Sequence, residues 1–389
     1  MPTTTPNPTA AFWRCRRCGT PNPRAGYLTR CLGCGRPIPP DSPTEATPAP
    51  VAAVPGRRRG GRTLAFASLY AVALLVALVV IRRMALGWWA VSTLIFMPRW
   101  LLLAPILPMA IGAARSRRAA VAAVVLLDAT LVAGPVMGFA IPWDRLTGPA
   151  GSGPRVRIMT FNQGSGTLDV PRLVRYLERQ EVDVLCFQEP GPNPALDAVL
   201  AEGWHVGRSR RIASRYPIAE DFGRSVDVNR SDERYTMILY LARLRHPDGF
   251  DFLVGSAHLP APRRGFNRLR AGDVEGFRRH LAWWDEEAAR MVAKLDEAGG
   301  LPLLVGGDFN MPADYAAMAA IRQIYPSAFE AAGWGYGYTR PTGVPWVRID
   351  HILGSRHWAF GRAWIGPDLG SDHLPAIAEA TLRAAGPGG

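Results

Sequence analysis

The chain has 389 residues and a net charge of +13, with 45 Lys and Arg against 32 Asp and Glu. That length exceeds one average domain, and the arginines crowd beside apolar runs in the N-terminal third, so the basic total points only weakly to nucleic acid. Four of the five cysteines, Cys15, Cys18, Cys31 and Cys34, share one short window while Cys186 stands alone, a spacing that favours metal over a disulfide framework.

Residues 11–37 contain a C-x2-C-x12-C-x2-C array. Four thiolates suit tetrahedral Zn2+, and a module too short for a core needs that metal to fold. With Trp13 before Cys15 and Asn22 after Cys18, the segment resembles the Ran-binding-protein type zinc finger, with a slightly long central spacer. The resemblance implies an RNA or protein partner such as ubiquitin; a structural knuckle without a partner is the alternative. Thiolates also need a reducing compartment, so this end is expected in the cytoplasm.

Residues 38–62 are rich in Pro and Ala and end in Arg57, Arg58, Arg59 and Arg62, as in an extended linker. The region 63–143 then reads as membrane-embedded. Thr63 to Ile81 is charge-free and about 28 Å long as a helix, the thickness of a bilayer core. Two further spans are expected at about 99–114 and 119–141, with 84–98 lying along the interface and Trp88, Trp89, Trp100 and Trp143 at one membrane face. Asp128 then falls in mid-bilayer and calls for a partner, for which Arg99 is the nearest candidate. Three spans from a cytoplasmic start put the rest of the chain outside the cytoplasm; a fourth would keep it inside. The expectation is therefore a multi-pass membrane protein with lipid around its helices.

After a Gly/Pro linker at 144–154, residues 155–384 alternate short β-branched runs with amphipathic segments, the mark of a mixed α/β domain. Strands are expected at Val156–Phe161, Val182–Phe187, Tyr235–Leu244, Phe250–Ala257, Leu301–Gly306 and Val347–Leu353, with a long helix from Ala271 to Glu297. Several apolar runs end in groups suited to hard metals or proton transfer: Asn162, Glu189, His258, Asp308 with Asn310, Asp350 with His351, and Asp372 with His373. Strand ends and loops are where ligands collect in such sheets, so these residues are expected to share one pocket.

In order and spelling, MTFN, VLCFQE, GDFN and SDHLP resemble the endonuclease/exonuclease/phosphatase superfamily over 155–384. The resemblance implies a four-layer α/β/β/α sandwich and hydrolysis of a phosphate ester by activated water, with Mg2+ or Mn2+. It further implies Glu189 as metal ligand with Asp372 near it, and Asn162 positioning metal or phosphate. Asp350 should orient His373, and either His373 or Asp308 acts as general base. Asn310 would donate to a phosphoryl oxygen, and His258 would be a second catalytic imidazole. Arg234 is a weaker candidate for phosphate contact. Gly164 stands where exonuclease-like members carry an acidic residue, which weakens a nuclease reading. Arg263, Arg264, Arg268 and Arg270 form a basic stretch, and the loop from Gly335 to Trp346 is a candidate for aromatic substrate contacts.

Substrates under consideration are a phospholipid head group, a nucleic acid and a small phosphate ester, with membrane tethering favouring lipid. The rival class is a membrane-anchored adaptor whose sandwich binds without catalysis.

Overall fold

The computed structural model describes residues 12–23, 29–37, 60–84, 89–143, 152–164, 167–224, 238–297 and 299–383. The chain divides into two compact units, Met1–Gly61 and Arg62–Gly389. Most of the linker expected at 38–62, and the segment holding Arg234, lie outside the described residues.

In the first unit, β1 (Phe12–Arg14) pairs antiparallel with β2 (Pro21–Pro23). Two matching turns carry the cysteine pairs: Gly19 N donates to Cys15 O at 2.8 Å and Gly35 N to Cys31 O at 2.8 Å. Both glycines have φ near +70°, which only a residue without Cβ adopts at little cost. Buried Asn22 joins the halves, accepting from Leu32 N at 2.7 Å and donating to Cys31 Sγ at 3.4 Å.

The second unit opens with α1 (Gly61–Met84). Among the described residues, two helical stretches are long and apolar enough to cross a membrane, Gly61–Ile81 and Ala119–Val136, with a third if the bent pair Trp89–Ile95 and Arg99–Ser116 is one span. The Ala119–Val136 stretch joins α4 (Ala119–Leu131) to a π-helical turn, Val132–Val136. The span expected at 99–114 differs: a 3-10 turn, Arg99–Leu103, precedes α3 (Ile106–Ser116), and α2 (Trp89–Ile95) meets this pair at a bend of 87°. Pro98 and Pro105 stand at the breaks, where each lacks the N–H that would continue a helix. α3 and α4 pack on the first half of α1 through Ala67, Met109, Ala113, Val121 and Val125, and leave Leu69, Leu107 and Leu126 exposed.

The Asp128–Arg99 pairing is not formed. Asp128 is buried with neither carboxylate oxygen hydrogen-bonded, while Arg99 forks onto Asp314 at 2.6 and 2.8 Å. Nor does α2 lie free along an interface. Its Val91 and Ile95 are 2% and 1% exposed and join a core that includes Trp284 and Met291. Removing such side chains leaves cavities, so Val91→Ala with Ile95→Ala is expected to destabilise the protein by roughly 3–6 kcal/mol in denaturant unfolding. A loss below about 1 kcal/mol would mean that α2 contributes no core.

The rest of the unit is a sandwich of two sheets. One has the order β11-β10-β9-β8-β7, from β7 (Ile218–Arg224), β8 (Ile238–Arg245), β9 (Asp251–His258), β10 (Leu303–Asp308) and β11 (Asp350–Gly354). The other has the order β12-β13-β3-β4-β6-β5, from β3 (Arg155–Asn162), β4 (Val184–Gln188), β5 (His205–Val206), β6 (Ile212–Ser214), β12 (Trp358–Ile365) and β13 (Ala376–Leu382). Strand alternation divides the side chains. Val156 and Ile158 meet Cys186, Val254 and Leu304 between the sheets, whereas Met159 and Phe161 face outward onto Leu173 and Leu177. Those leucines belong to α5 (Val170–Arg179), which with α6 (Pro194–Leu200) covers one sheet; Asp169 and Asn193 cap these helices by accepting from Arg172 N and Leu196 N. The other sheet is covered by α8 (Val274–Glu297), whose buried stripe includes Phe277, Trp284, Ala288, Met291 and Leu295, and by α9 (Ala316–Ile324). The layers are thus α/β/β/α. Gly306 lets the sheets close, because a Cβ there would lie 3.0 Å from Thr160 Cβ.

Candidate active site

The polar residues gather at one end of the sandwich by strand direction. β3 runs parallel to β4, and β9 to β10, so Asn162, Glu189, His258 and Asp308 come at or just past strand C-termini. Asp350 and His373 differ from the strand-end expectation: they lie at the start of β11 and just before β13. Because β11 pairs antiparallel with β10, with Asp308 opposite Asp350, and β13 antiparallel with β3, they reach the same end.

Asp308 is the hub. It is 1% exposed; its Oδ1 accepts from Asn310 N at 2.8 Å, and its Oδ2 accepts from Asn162 Nδ2 at 2.9 Å and Asn310 Nδ2 at 3.3 Å. His258 Nε2 stands 3.7 Å from Asp308 Oδ2 and 3.6 Å from Glu189 Oε1. His373 Nε2 is 3.8 Å from Asp308 Oδ2, and its Nδ1 donates to Asp350 at 2.9 and 3.1 Å. Burial, then the Asp350 charge, push the Asp308 carboxyl up, against His373, His258 and the Asn162 hydrogen bond. Burial alone would hold the His373 imidazole down, but Asp350 and Asp308 together outweigh it and push it up to about 9.

Two amides do different work from that expected. Asn310 spends both amide hydrogens, on Leu259 O at 2.9 Å and on Asp308, so it holds the carboxylate in place and has none left for a phosphoryl oxygen. Asn162 likewise clamps Asp308 and Glu189 Oε1, the latter at 3.3 Å, while its Oδ1 accepts from Gly164 N at 2.9 Å. Glu189 and Asn310 both have left-handed backbones, φ 49° and 53°, the kind of cost found where a site dictates geometry. Arg234 is outside the described residues, and buried His351 binds Met311 O at 2.9 Å, away from this network.

Asp372 offers Oδ2 to Arg340 Nη2 at 2.7 Å. Gly164 has φ 56°, which strains any side chain, and a Cβ there would sit 2.4 Å from Asp372 Oδ1 and have to displace that carboxylate. Sequence reasoning missed Arg340, which carries no motif of its own, and Ser371, whose Oγ ties the SDH turn to Asn162 O at 2.7 Å and accepts from His373 N at 3.1 Å. Thr339 Oγ1, accepting from Asp350 N at 3.3 Å, was equally silent.

These groups line a cleft of about 510 Å³, with Glu189, His258, Asp308 and His373 on one side and Arg263, Arg264 and Arg340 among the other walls. Arg263 and Arg264 begin α7 (Arg263–Arg270), the predicted basic stretch. The 335–346 loop divides: Arg340 joins this cleft, while its aromatic residues Tyr336, Tyr338 and Trp346 line a different cavity.

An exposed carboxylate fits a hard divalent cation: Glu189 is 49% exposed at the side chain and lines the cleft together with Asp372. The cysteine cluster fits zinc on metric grounds. Sulfurs about 2.3 Å from a tetrahedral centre lie about 3.8 Å apart. Here Cys15 and Cys34 Sγ are 3.7 Å apart and Cys18 and Cys31 Sγ 3.6 Å.

Asp350→Asn tests the orienting pair. An amide cannot demand the Nδ1–H tautomer of His373, so kcat is expected to fall about 10²-fold or more with KM little changed in steady-state kinetics. An unchanged kcat would show that the 2.9 Å contact has no catalytic consequence.

Several solved structures are similar to part of the chain. An endonuclease/exonuclease/phosphatase family protein from Bacteroides thetaiotaomicron is 18% identical, with 60% of this chain and 100% of that chain covered and a TM-score of 0.47. A mannosyl-6-phosphatase from the same organism is 18% identical over 58% of this chain and 100% of its own, TM-score 0.46. The human Nocturnin catalytic domain is 16% identical over 60% and 96%, TM-score 0.43. No curated protein matches the chain. The model of the Endonuclease/Exonuclease/phosphatase family matches residues 159–373, more than half of the chain and reaching from within β3 to His373, so the protein belongs to that family of phosphoester hydrolases.

Proposed function

We propose that the protein is a membrane-tethered, divalent-metal-dependent phosphoesterase that hydrolyses a phosphodiester or phosphomonoester with activated water, a phospholipid head group being the favoured substrate. The observation that carries this is the joining of Asn162, Glu189, His258, Asp308, Asp350 and His373 in one network of contacts no longer than 3.8 Å.

Glu189 is assigned as the principal metal ligand, with Asp372 offering the oxygen not given to Arg340, and Asn162 keeping Glu189 in place. When bound, Mg2+ or Mn2+ draws charge from the phosphoryl and leaving oxygens. Asp308, aligned by Asn162 and Asn310, takes the proton of the attacking water. His373, fixed by Asp350 through Nδ1, turns Nε2 toward the reacting phosphate, and His258 donates to a phosphoryl or leaving oxygen. Arg263, Arg264 and Arg340 attract the anionic substrate.

Tethering rests on the apolar exposed faces of α1, α3 and α4. Arg62, Arg115, Arg117 and Arg118 flank the ends where Thr63 meets Gly112, opposite the ends that pack on the sandwich. That distribution favours a cytoplasmic start and an extracytoplasmic catalytic unit. The four cysteines hold a structural Zn2+, with RNA or a protein as the finger's partner.

The test is full-length protein in detergent micelles with Mg2+ or Mn2+, offered bis-p-nitrophenyl phosphate, sphingomyelin and phosphatidylglycerol micelles, and DNA. Metal-dependent turnover, fastest on lipid, is expected. Turnover that survives a chelator, or none on any substrate, contradicts the reading.

A further inference from the structure

A second cavity, of about 500 Å³, lies between the helical segment and the sandwich, and it shares no lining residue with the catalytic cleft. Arg99 and Met137 stand on its helical side, and Arg322, Tyr338 and Arg348 on the sandwich side. The two sides are already locked: Arg99 forks onto Asp314, and Tyr338 Oη donates to Met137 O at 2.7 Å.

What is left over is positive charge and unused donors. Arg348 is 6% exposed and donates through Nη2 to Glu330 at 3.3 Å, yet its Nε and Nη1 have no hydrogen-bond partner. Arg322 pairs with the same Glu330 and donates to Ala313 O at 2.7 Å, leaving its Nε unpartnered. Three guanidiniums thus face two carboxylates, Asp314 and Glu330, an excess of one positive charge. Burial pulls the Arg348 guanidinium down to about 10, which still leaves it cationic at neutral pH. A buried charged donor with no protein acceptor is costly, so water or a ligand supplies one. The remaining walls are apolar or aromatic, with Phe139, Ala140 and Trp346 among them, and one edge is the π-helical turn at Pro135, a feature concentrated at functional sites.

We propose that this cavity is a binding site for a phosphate group carried on an apolar body, distinct from the catalytic cleft. The excess cationic charge of Arg99, Arg322 and Arg348 over Asp314 and Glu330 draws an anion, guanidinium and phosphate make a strong pair, and the aromatic walls receive what the phosphate is attached to. Bound there, the ligand touches both the helical end and the sandwich and strengthens their docking. The phosphate is supplied by a lipid head group or by a free phosphorylated molecule.

The two sources separate in one experiment on the full chain carrying Asp308→Asn, which keeps lipid probes intact. Thermal unfolding is followed in phosphatidylcholine nanodiscs with added phosphatidic acid, and in micelles with inorganic phosphate. A saturable rise of about 3–6 °C is expected, from phosphatidic acid alone if the source is lipid and also from inorganic phosphate if it is free. The rise should vanish in Arg348→Gln and in Ala319→Phe, which fills the cavity from a half-buried lining position and keeps every arginine. If Arg348→Gln does not fold, Ala319→Phe decides. No rise with either probe, or an equal rise in the cavity variants, which would place the anion in the catalytic cleft, overturns the proposal. Neither result depends on turnover, so failure here leaves the hydrolase reading standing, and the reverse.

Discussion

Asp308→Asn is expected to lower kcat on bis-p-nitrophenyl phosphate by about 10³-fold, while the folded protein keeps or gains stability. Asp308 receives hydrogen bonds from Asn310 N and Asn162 Nδ2 and faces His258 and His373, so it meets four of the groups in the network. An amide keeps its shape and removes the group that accepts the proton. It also removes a buried negative charge that lies against Asp350 and is 1% exposed, which offsets the lost hydrogen bonds. Steady-state kinetics beside a thermal melt separates the two effects. A variant within tenfold of the parent kcat would take Asp308 out of the proton transfer.

Glu189→Gln should act through metal instead. Mg2+ and Mn2+ prefer charged oxygen ligands, so replacing the exposed carboxylate at the cleft is expected to weaken metal activation by about 100-fold or more. Titrating activity with Mn2+ reads this directly: the half-activating concentration moves up, and part of kcat returns at high Mn2+. An unmoved midpoint with a lower kcat would assign Glu189 to something other than metal. The contrast with Asp308→Asn, whose loss no metal concentration should repair, tells the two carboxylates apart.

The inner strands were legible because they are buried on both faces and read as continuous apolar runs; β4, Val184–Gln188, is buried at every position. β12 and β13 were not, since Gly361 bulges one and alanines dilute the other below any clear alternation. Motif order was enough to name the groups at the site but not their direction of approach. Asp350 and His373 arrive at strand beginnings, and only antiparallel pairing brings them to Asp308. Distances along the chain set the other limit. Arg99 takes a partner 215 residues away, which no local pattern announces, so the nearer Asp128 looked like its match. Aromatic richness in the 335–346 loop likewise marked contact without saying with what: Tyr336 packs edge-on against Phe139 at 5.2 Å, on the helical side.

The central claim is that Glu189, Asp308 and His373 serve one cation and one phosphate. Crystals of the full-length protein grown with Mn2+ and inorganic phosphate, read by anomalous scattering, test it most directly. The account predicts a manganese peak about 2.1 Å from a Glu189 carboxylate oxygen, with a phosphate between it and the His373 and His258 rings. Manganese bound away from Glu189, or phosphate seated beyond reach of both imidazoles, would contradict it.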